Sequence, residues 1–197
     1  MMLKRLVVLT ALLSAGCAYR GTATDFDPKE LRSEEGWLIA TELPVVLQKD
    51  REDCGAAALA MALAAWHLST CQDEIAQACP PLAEQGIKAG TLRDFARQKG
   101  LQAFVLKGEM ADLEHELSRA RPVIAGLVKP FASRGLTHYE VVVALHPASR
   151  RIVTIDPAHG WRQNTFEGFR TEWEPAGCLL LVLFPAQADS GRRPSTP

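Results

Sequence analysis

The sequence predicts an α+β fold on three observations. The first half of the chain carries runs of helical propensity, while the second half carries β-branched and apolar runs cut by turn residues. One segment, GAAALAMALAAWH over Gly55–His67, is apolar on nearly every face, which marks a helix buried in a core. Helices followed by strands then imply an antiparallel sheet in the C-terminal half, with the buried helix packed upon it.

Taken in order, the Ala-, Leu- and Met-rich helix comes first, favoured by its intrinsic propensity. Ser69 and Thr70 offer caps for a second helix through Ala78, which Pro80-Pro81 stops. Thr91 is read as the cap of a third helix, LRDFARQK, with Gly100 as its stop. A short strand is expected over Gln102–Leu106, then a fourth helix over Met110–Ala120 with Leu113 and Leu117 at i, i+4 spacing. The strands of the second half are PVIAGLV (122–128), HYEVVVALH (138–146), RRIVTID (150–156) and GCLLLVLFP (177–185). Pro147-Ala148-Ser149 reads as a hairpin loop, and Phe166–Trp173 as a connecting segment whose Phe166, Phe169 and Trp173 plug the core.

A chain of 197 residues has room for one domain with a real core. Hydrophobic residues at 47% and charged residues at 23% are ordinary globular values, and a net charge of −1 gives no footprint for nucleic acid. The first residues read differently. Lys4 and Arg5 precede an apolar run from Leu6 to Leu13, too short for the ~20 residues that cross a bilayer, so residues 1–16 read as a secretory signal. The ending LSAGC resembles the bacterial lipobox, in which cleavage precedes a cysteine that is then lipidated, here Cys17.

Removal of Lys4 and Arg5 lowers the 22 basic residues to 20 against 23 acidic ones, a mature charge of −3. Residues 17–35 are then a lipidated tether, 36–186 the folded domain and 187–197 a disordered tail. Ala18 after the lipidated cysteine, with no Asp there, resembles the signal for the outer membrane. A lipid-anchored monomer facing the periplasm is the expectation.

That compartment is oxidising, so five cysteines need accounting for. With Cys17 lipidated, Cys54, Cys71, Cys79 and Cys178 remain, and four cysteines allow three full pairings. Cys71 and Cys79 flank QDEIAQA, whose helical form would separate them by about 12 Å, beyond the ~7 Å that a disulfide spans. Their pairing, and that of Cys178, stays open.

Cys54 sits where the charged stretch QKDRED meets the apolar helix. The thiolate is the reactive form of cysteine, and the unpaired N–H groups of a helix start favour negative charge there. Gly55 beside it leaves room for a substrate backbone. A histidine base must arrive from elsewhere, oriented by a third polar group, and donors are needed where a carbonyl oxygen becomes an anion. His138 opens a strand and Asp156 ends the next one. The simplest hairpin register, His146 opposite Arg151, sets Asp156 opposite Val141 and so on the wrong face from His138; a bulge or another loop closure would correct this.

Gln48, five residues, then Asp53-Cys54-Gly55-Ala56-Ala57 and a Leu/Met-rich helix resembles the double-glycine leader peptidases, cysteine peptidase family thirty-nine. His138-Tyr139-x-Val-Val-Val and Ile155-Asp156-Pro157-Ala158-x-Gly160 match the other two blocks in order, so the resemblance covers about residues 43–184. It implies a papain-like fold and peptide-bond hydrolysis without a cofactor. Cys54 becomes the nucleophile, His138 the general base and then acid, Asp156 the orienting group, and Gln48 an oxyanion donor beside the Cys54 N–H. The best-known members are fused to a membrane ABC transporter and cut Gly-Gly leaders. This sequence contains no G-x-x-x-x-G-K-[ST] motif and no transmembrane bundle, so a stand-alone peptidase outside the cytoplasm is expected.

Other readings use the same residues differently. His159 is a rival base or a solvated loop residue, and the loop is favoured. The absence of HExxH, CxxC and a compact His/Asp cluster points away from a metal. A non-catalytic peptide-binding module of the same fold and a cysteine amidase or endopeptidase acting on peptidoglycan peptides are the two alternative functions.

Overall fold

A computed structural model of the chain describes residues 21–82, 86–129 and 137–186. The signal segment 1–16, Cys17 and the tail 187–197 lie outside the described residues. The chain opens with β1 (Thr24–Asp25), the single turn α1 (Glu30–Ser33) and β2 (Leu38–Ile39). The helical part follows as α2 (Cys54–Ala64), α3 (Gln72–Ala78) and α4 (Ala89–Gln98), then β3 (Leu101–Lys107) and α5 (Met110–Leu117). The rest is β4 (Val123–Val128), β5 (Thr137–His146), β6 (Arg151–Asp156), β7 (Gly160–Thr165), α6 (Phe166–Trp173), a 3-10 turn and β8 (Leu179–Pro185).

The strands form one antiparallel sheet in the order β1-β7-β6-β5-β4-β8-β3, with β2 paired to β5 off that path. The expected α+β architecture holds, with one refinement. β3 comes from the helical half yet pairs along its whole length with β8, so both halves of the chain build the sheet. Among the described residues no helix is long and apolar enough to cross a membrane.

α2 is the buried helix the composition predicts: every residue from Cys54 to Leu63 is buried. Its alanines keep the helix thin, and small side chains let it approach its neighbours closely. Gly55 does this work too, and not the work expected of it. A Cβ at Gly55 would lie 3.2 Å from both Leu92 Cδ1 and Tyr139 Cδ2, so protein side chains fill the space reserved for substrate in the sequence reading.

Two expected caps are not used. α4 begins two residues before Thr91, behind Lys88, and α3 begins behind Cys71 with no side-chain cap bond. Asp73 and Glu74 in the first turn of α3 supply the negative charge that favours a helix start. Gly100 does stop α4, in a left-handed conformation at φ +89°. Phe166–Trp173 is a helix whose Phe166, Phe169 and Trp173 are buried, as the plug reading requires.

The larger correction concerns the tether expected over residues 17–35. From Gly21 onward that segment packs on the domain. Thr24 and Asp25 pair with Gln163 and Arg162 of β7, Phe26 and Leu31 are buried in the core, and Glu34 forms an ion pair with Arg151. Strand addition at a sheet edge works through backbone hydrogen bonds, so it leaves no periodicity of side chains to read. The partner strand β7 was missed for a related reason: GWRQNT is polar and only half-buried, without the alternation that signals a strand.

The β5–β6 hairpin fixes the positions that matter most. Its pairs run His146–Arg151, Leu145–Ile152 and Ala144–Val153, then jump to Val142–Thr154 and Val141–Ile155. Val143 is the extra residue of a β-bulge. Continuing the ladder past Val141–Ile155 brings Asp156 opposite Glu140, two residues from His138 and on its face of the strand. The bulge supplies the one-residue shift that the simple register lacked.

Candidate active site

Cys54 is the first residue of α2, behind Asp53, and is 2% exposed. It belongs to the first turn, whose N–H groups have no acceptor within the helix. The segment leading to it is braced from both sides. The Asp53 carboxylate accepts from Gln72 Nε2 at 3.1 Å and from the Asp50 N–H at 3.3 Å. The Gln48 N–H donates to Pro157 O at 2.8 Å, which ties the stretch before Cys54 to the turn after β6.

His138 and Asp156, which lie on neighbouring strands, meet at 2.7 Å between Nε2 and Oδ1, both almost wholly buried. Cys54 lies close enough to the same imidazole to act on it by hydrogen bonding and by charge. Burial by itself would pull the His138 pKa down. The bonds to Asp156 and Cys54 and their charges outweigh it, and the imidazole is pushed up to about 10. Burial likewise works to raise the Asp156 pKa, but bonds from His138, His159 and the Ala158 N–H hold it well below the usual carboxylate range. The arrangement favours a charged imidazolium beside the Asp156 carboxylate. Tyr139 flanks it, and burial with the nearby Cys54 charge pushes its phenol up.

The sequence-predicted residues thus converge in three of four cases. The fourth, Gln48, lies in the same loop but faces elsewhere: its Nε2 donates to Asp50 O at 3.0 Å and Arg51 O at 3.4 Å. Its Oε1 is buried without a hydrogen-bond partner among the described residues. His159, read as a solvated loop residue, instead hydrogen-bonds through Nδ1 to Asp156 Oδ2 at 2.9 Å.

Sequence reasoning missed a buried charge network beside this site. Lys129 forms ion pairs with Glu140 and, at 2.7 Å, with Glu172, and all three side chains are about 2% exposed or less. Thr154 donates to Glu140 at 2.6 Å, and Thr22 of the N-terminal segment donates its hydroxyl to Glu172 at 2.8 Å. The two carboxylates outweigh burial and hold the Lys129 pKa above its ordinary value. A charged glutamate inside HYEVVVALH was the available signal, because charge in a buried strand demands a partner.

His138, Glu140 and Asp156 offer three ligand atoms within 4.8 Å of one another. Lys129 already supplies the positive charge at Glu140, and His138 supplies it at Asp156. Cys54, Cys71, Cys79 and Cys178 are free thiols, with Cys71 and Cys79 at opposite ends of α3. A cavity of about 450 Å³ between the N-terminal segment and Leu43 includes none of Gln48, Cys54, His138 or Asp156.

A cysteine at the start of a buried helix, facing a histidine on an antiparallel sheet, defines the papain-like cysteine peptidases as a class. Within that class the chain belongs to the Peptidase C39 family, which residues 42–186 match. Its fold is similar to that of a double-glycine motif protease from an AMS/PCAT transporter, solved with a leader peptide, at TM-score 0.60 and 23% identity over 75% of this chain and 94% of that one. The peptidase domain of Streptococcus ComA, a bifunctional ABC transporter of a quorum-sensing pathway, is similar at TM-score 0.61 and 24% identity, over 74% and 98% of the two chains. A C39-like peptidase from Bacillus anthracis is similar at TM-score 0.64 and 15% identity, over 77% and 99%. At these identities the likeness is one of fold. No curated protein sequence matches the chain. The family makes this protein a cysteine-type peptidase, a hydrolase.

Proposed function

We propose that the protein hydrolyses peptide bonds outside the cytoplasm with Cys54 as nucleophile, His138 as general base and acid, and Asp156 as the group that orients the imidazole. The reading rests on one observation above all, the buried His138 imidazole held at 2.7 Å by Asp156 with Cys54 close enough to act on the same ring. The thiolate attacks the scissile carbonyl carbon, and the tetrahedral intermediate collapses as His138 gives its proton to the departing amine. Water, losing a proton to His138, then cleaves the thioester and restores the thiol. The Cys54 N–H is the first oxyanion donor. Gln48 is the second, after its amide turns from the carbonyls of Asp50 and Arg51; one such donor is worth about 10²–10³ in rate.

A peptide substrate is favoured by the leader peptide held by the AMS/PCAT protease of the same fold. Lipidation at Cys17 after cleavage of residues 1–16 would anchor this monomeric peptidase in the outer membrane, facing the periplasm. The test is labelling by a thiol-reactive peptide probe. Wild type should react far faster than a free thiol, and Cys54→Ala and His138→Ala should abolish that advantage. A reaction indifferent to His138 would sink the mechanism. A peptide-library digest and purified muropeptides separate general peptidase from cell-wall endopeptidase, and palmitate labelling lost in Cys17→Ala tests the anchor.

A further inference from the structure

We infer that His159 is a positioning residue of the same site, fixing the carboxylate that fixes the catalytic imidazole. This rests on the reading of Asp156 as the group that orients His138. The donors around Asp156 are few. Oδ1 accepts from His138 Nε2 and from the Ala158 N–H, both at 2.7 Å, whereas Oδ2 meets His159 Nδ1 at 2.9 Å. An ionised carboxylate only accepts, so His159 carries its proton on Nδ1 and donates.

The local sequence explains how the ring comes to be there. Asp156-Pro157-Ala158-His159 is a tight turn closed by the His159 N–H to Asp156 O at 3.1 Å. Proline sets the turn and has no N–H of its own, and Gly160 continues in the left-handed region at φ +78°. The turn folds the His159 ring back over the second carboxylate oxygen. Asp156 is 2% exposed, while the His159 side chain is 30% exposed, so the imidazole stands between carboxylate and solvent.

A carboxylate held through one oxygen can turn about its Cβ–Cγ bond, and the His138 ring would turn with it. Held through both oxygens, it keeps one plane and presents Oδ1 along a fixed line to Nε2. His159 therefore acts on the reaction through Asp156 and does not itself touch substrate or thiol.

The experiment compares wild type, His159→Ala and His159→Asn as full chains; the Asn amide nitrogen lies near the place of Nδ1 and remains a neutral donor. His159→Ala should lower kcat on a cleaved peptide, and the alkylation rate of Cys54 by iodoacetamide, by about ten- to hundredfold. KM should stay within about twofold, and His159→Asn should recover most of the loss. The Nε2–H proton resonance of His138 should move in His159→Ala and return in His159→Asn. Unchanged kcat and resonance in His159→Ala, or an Asn variant as impaired as Ala at equal melting temperature, would overturn the role. If wild-type Cys54 reacts without help from His138, the catalytic reading itself fails, and this role with it.

Discussion

Replacing Asp156 by Asn removes one negative charge from the site with little change of shape. The His138 imidazole stands at about 10 where an ordinary one stands at 6.5, a rise of about 3.5 pH units against burial. At 1.36 kcal/mol per unit that is roughly 5 kcal/mol in favour of the imidazolium, shared between Asp156 and Cys54. The hydrogen bond to Asp156 is the largest of the effects that raise the imidazole pKa, and a hydrogen bond to a charged group is worth roughly 1.5–3 kcal/mol, so its loss should lower that pKa by about one to two units. The sign follows directly: less negative charge lowers the histidine pKa, so the alkaline limb of the pH–rate profile moves to lower pH. The assay is kcat/KM for a cleaved peptide, together with iodoacetamide alkylation of Cys54, each measured from pH 5 to 11. Wild type should hold its activity up to about pH 10, and Asp156→Asn should lose it about one to two units earlier. Identical alkaline limbs in the two proteins would refute the coupling of Asp156 to His138.

The same pair should shape stability. His138, raised, contributes stability that is complete below 6.5 and lost as pH rises through about 10; Asp156, depressed, contributes stability present above 3.8 and lost as pH falls through its lower folded value. Urea midpoints should therefore fall on both sides of mildly acidic pH, and in Asp156→Asn the alkaline decline should flatten. Lys129→Met leaves Glu140 and Glu172 buried without their cation, and should cost about 3–5 kcal/mol in urea unfolding. Adding Glu140→Gln and Glu172→Gln to it should recover part of that loss. Removing residues up to 35 exposes the core that Phe26 and Leu31 cover, for a loss of about 3–6 kcal/mol; a loss under 1 kcal/mol would restore the tether reading. Gly55→Ala places a Cβ 3.2 Å from Leu92 and Tyr139, so it should shift the start of α2 and lower Cys54 alkylation along with about 1–3 kcal/mol of stability.

What could be read in the sequence follows a physical divide. α2 was legible because eleven residues without a polar face can only be buried, and β4, β5, β6 and β8 because β-branched runs between turns have few other homes. Cys54, His138 and Asp156 were legible as residues, and their assembly was not. Their assembly depends on Val143, and nothing in VVVAL says which valine bulges, since each is as apolar as the next. β1 was invisible because edge pairing uses the backbone, and β7 because its polar, half-buried run shows no alternation. Lys129 and Glu172 lie 43 residues apart and announce themselves only when the sheet brings them together. His159 looked like a turn residue, which it is; that its ring folds back on Asp156 is a matter of turn geometry.

The bulge at Val143 separates two things that motif comparison treats as one. A chain that kept Val143 but paired it straight across, without the bulge, would still carry Gln48, Cys54, His138 and Asp156 in their blocks at the same spacing. Its hairpin would run in plain alternation from His146–Arg151 to Val141–Asp156, and Asp156 would face away from His138. Deleting Val143 outright would instead leave Asp156 opposite Glu140, so the count of residues between His138 and Asp156 is a phase that has meaning only together with the bulge.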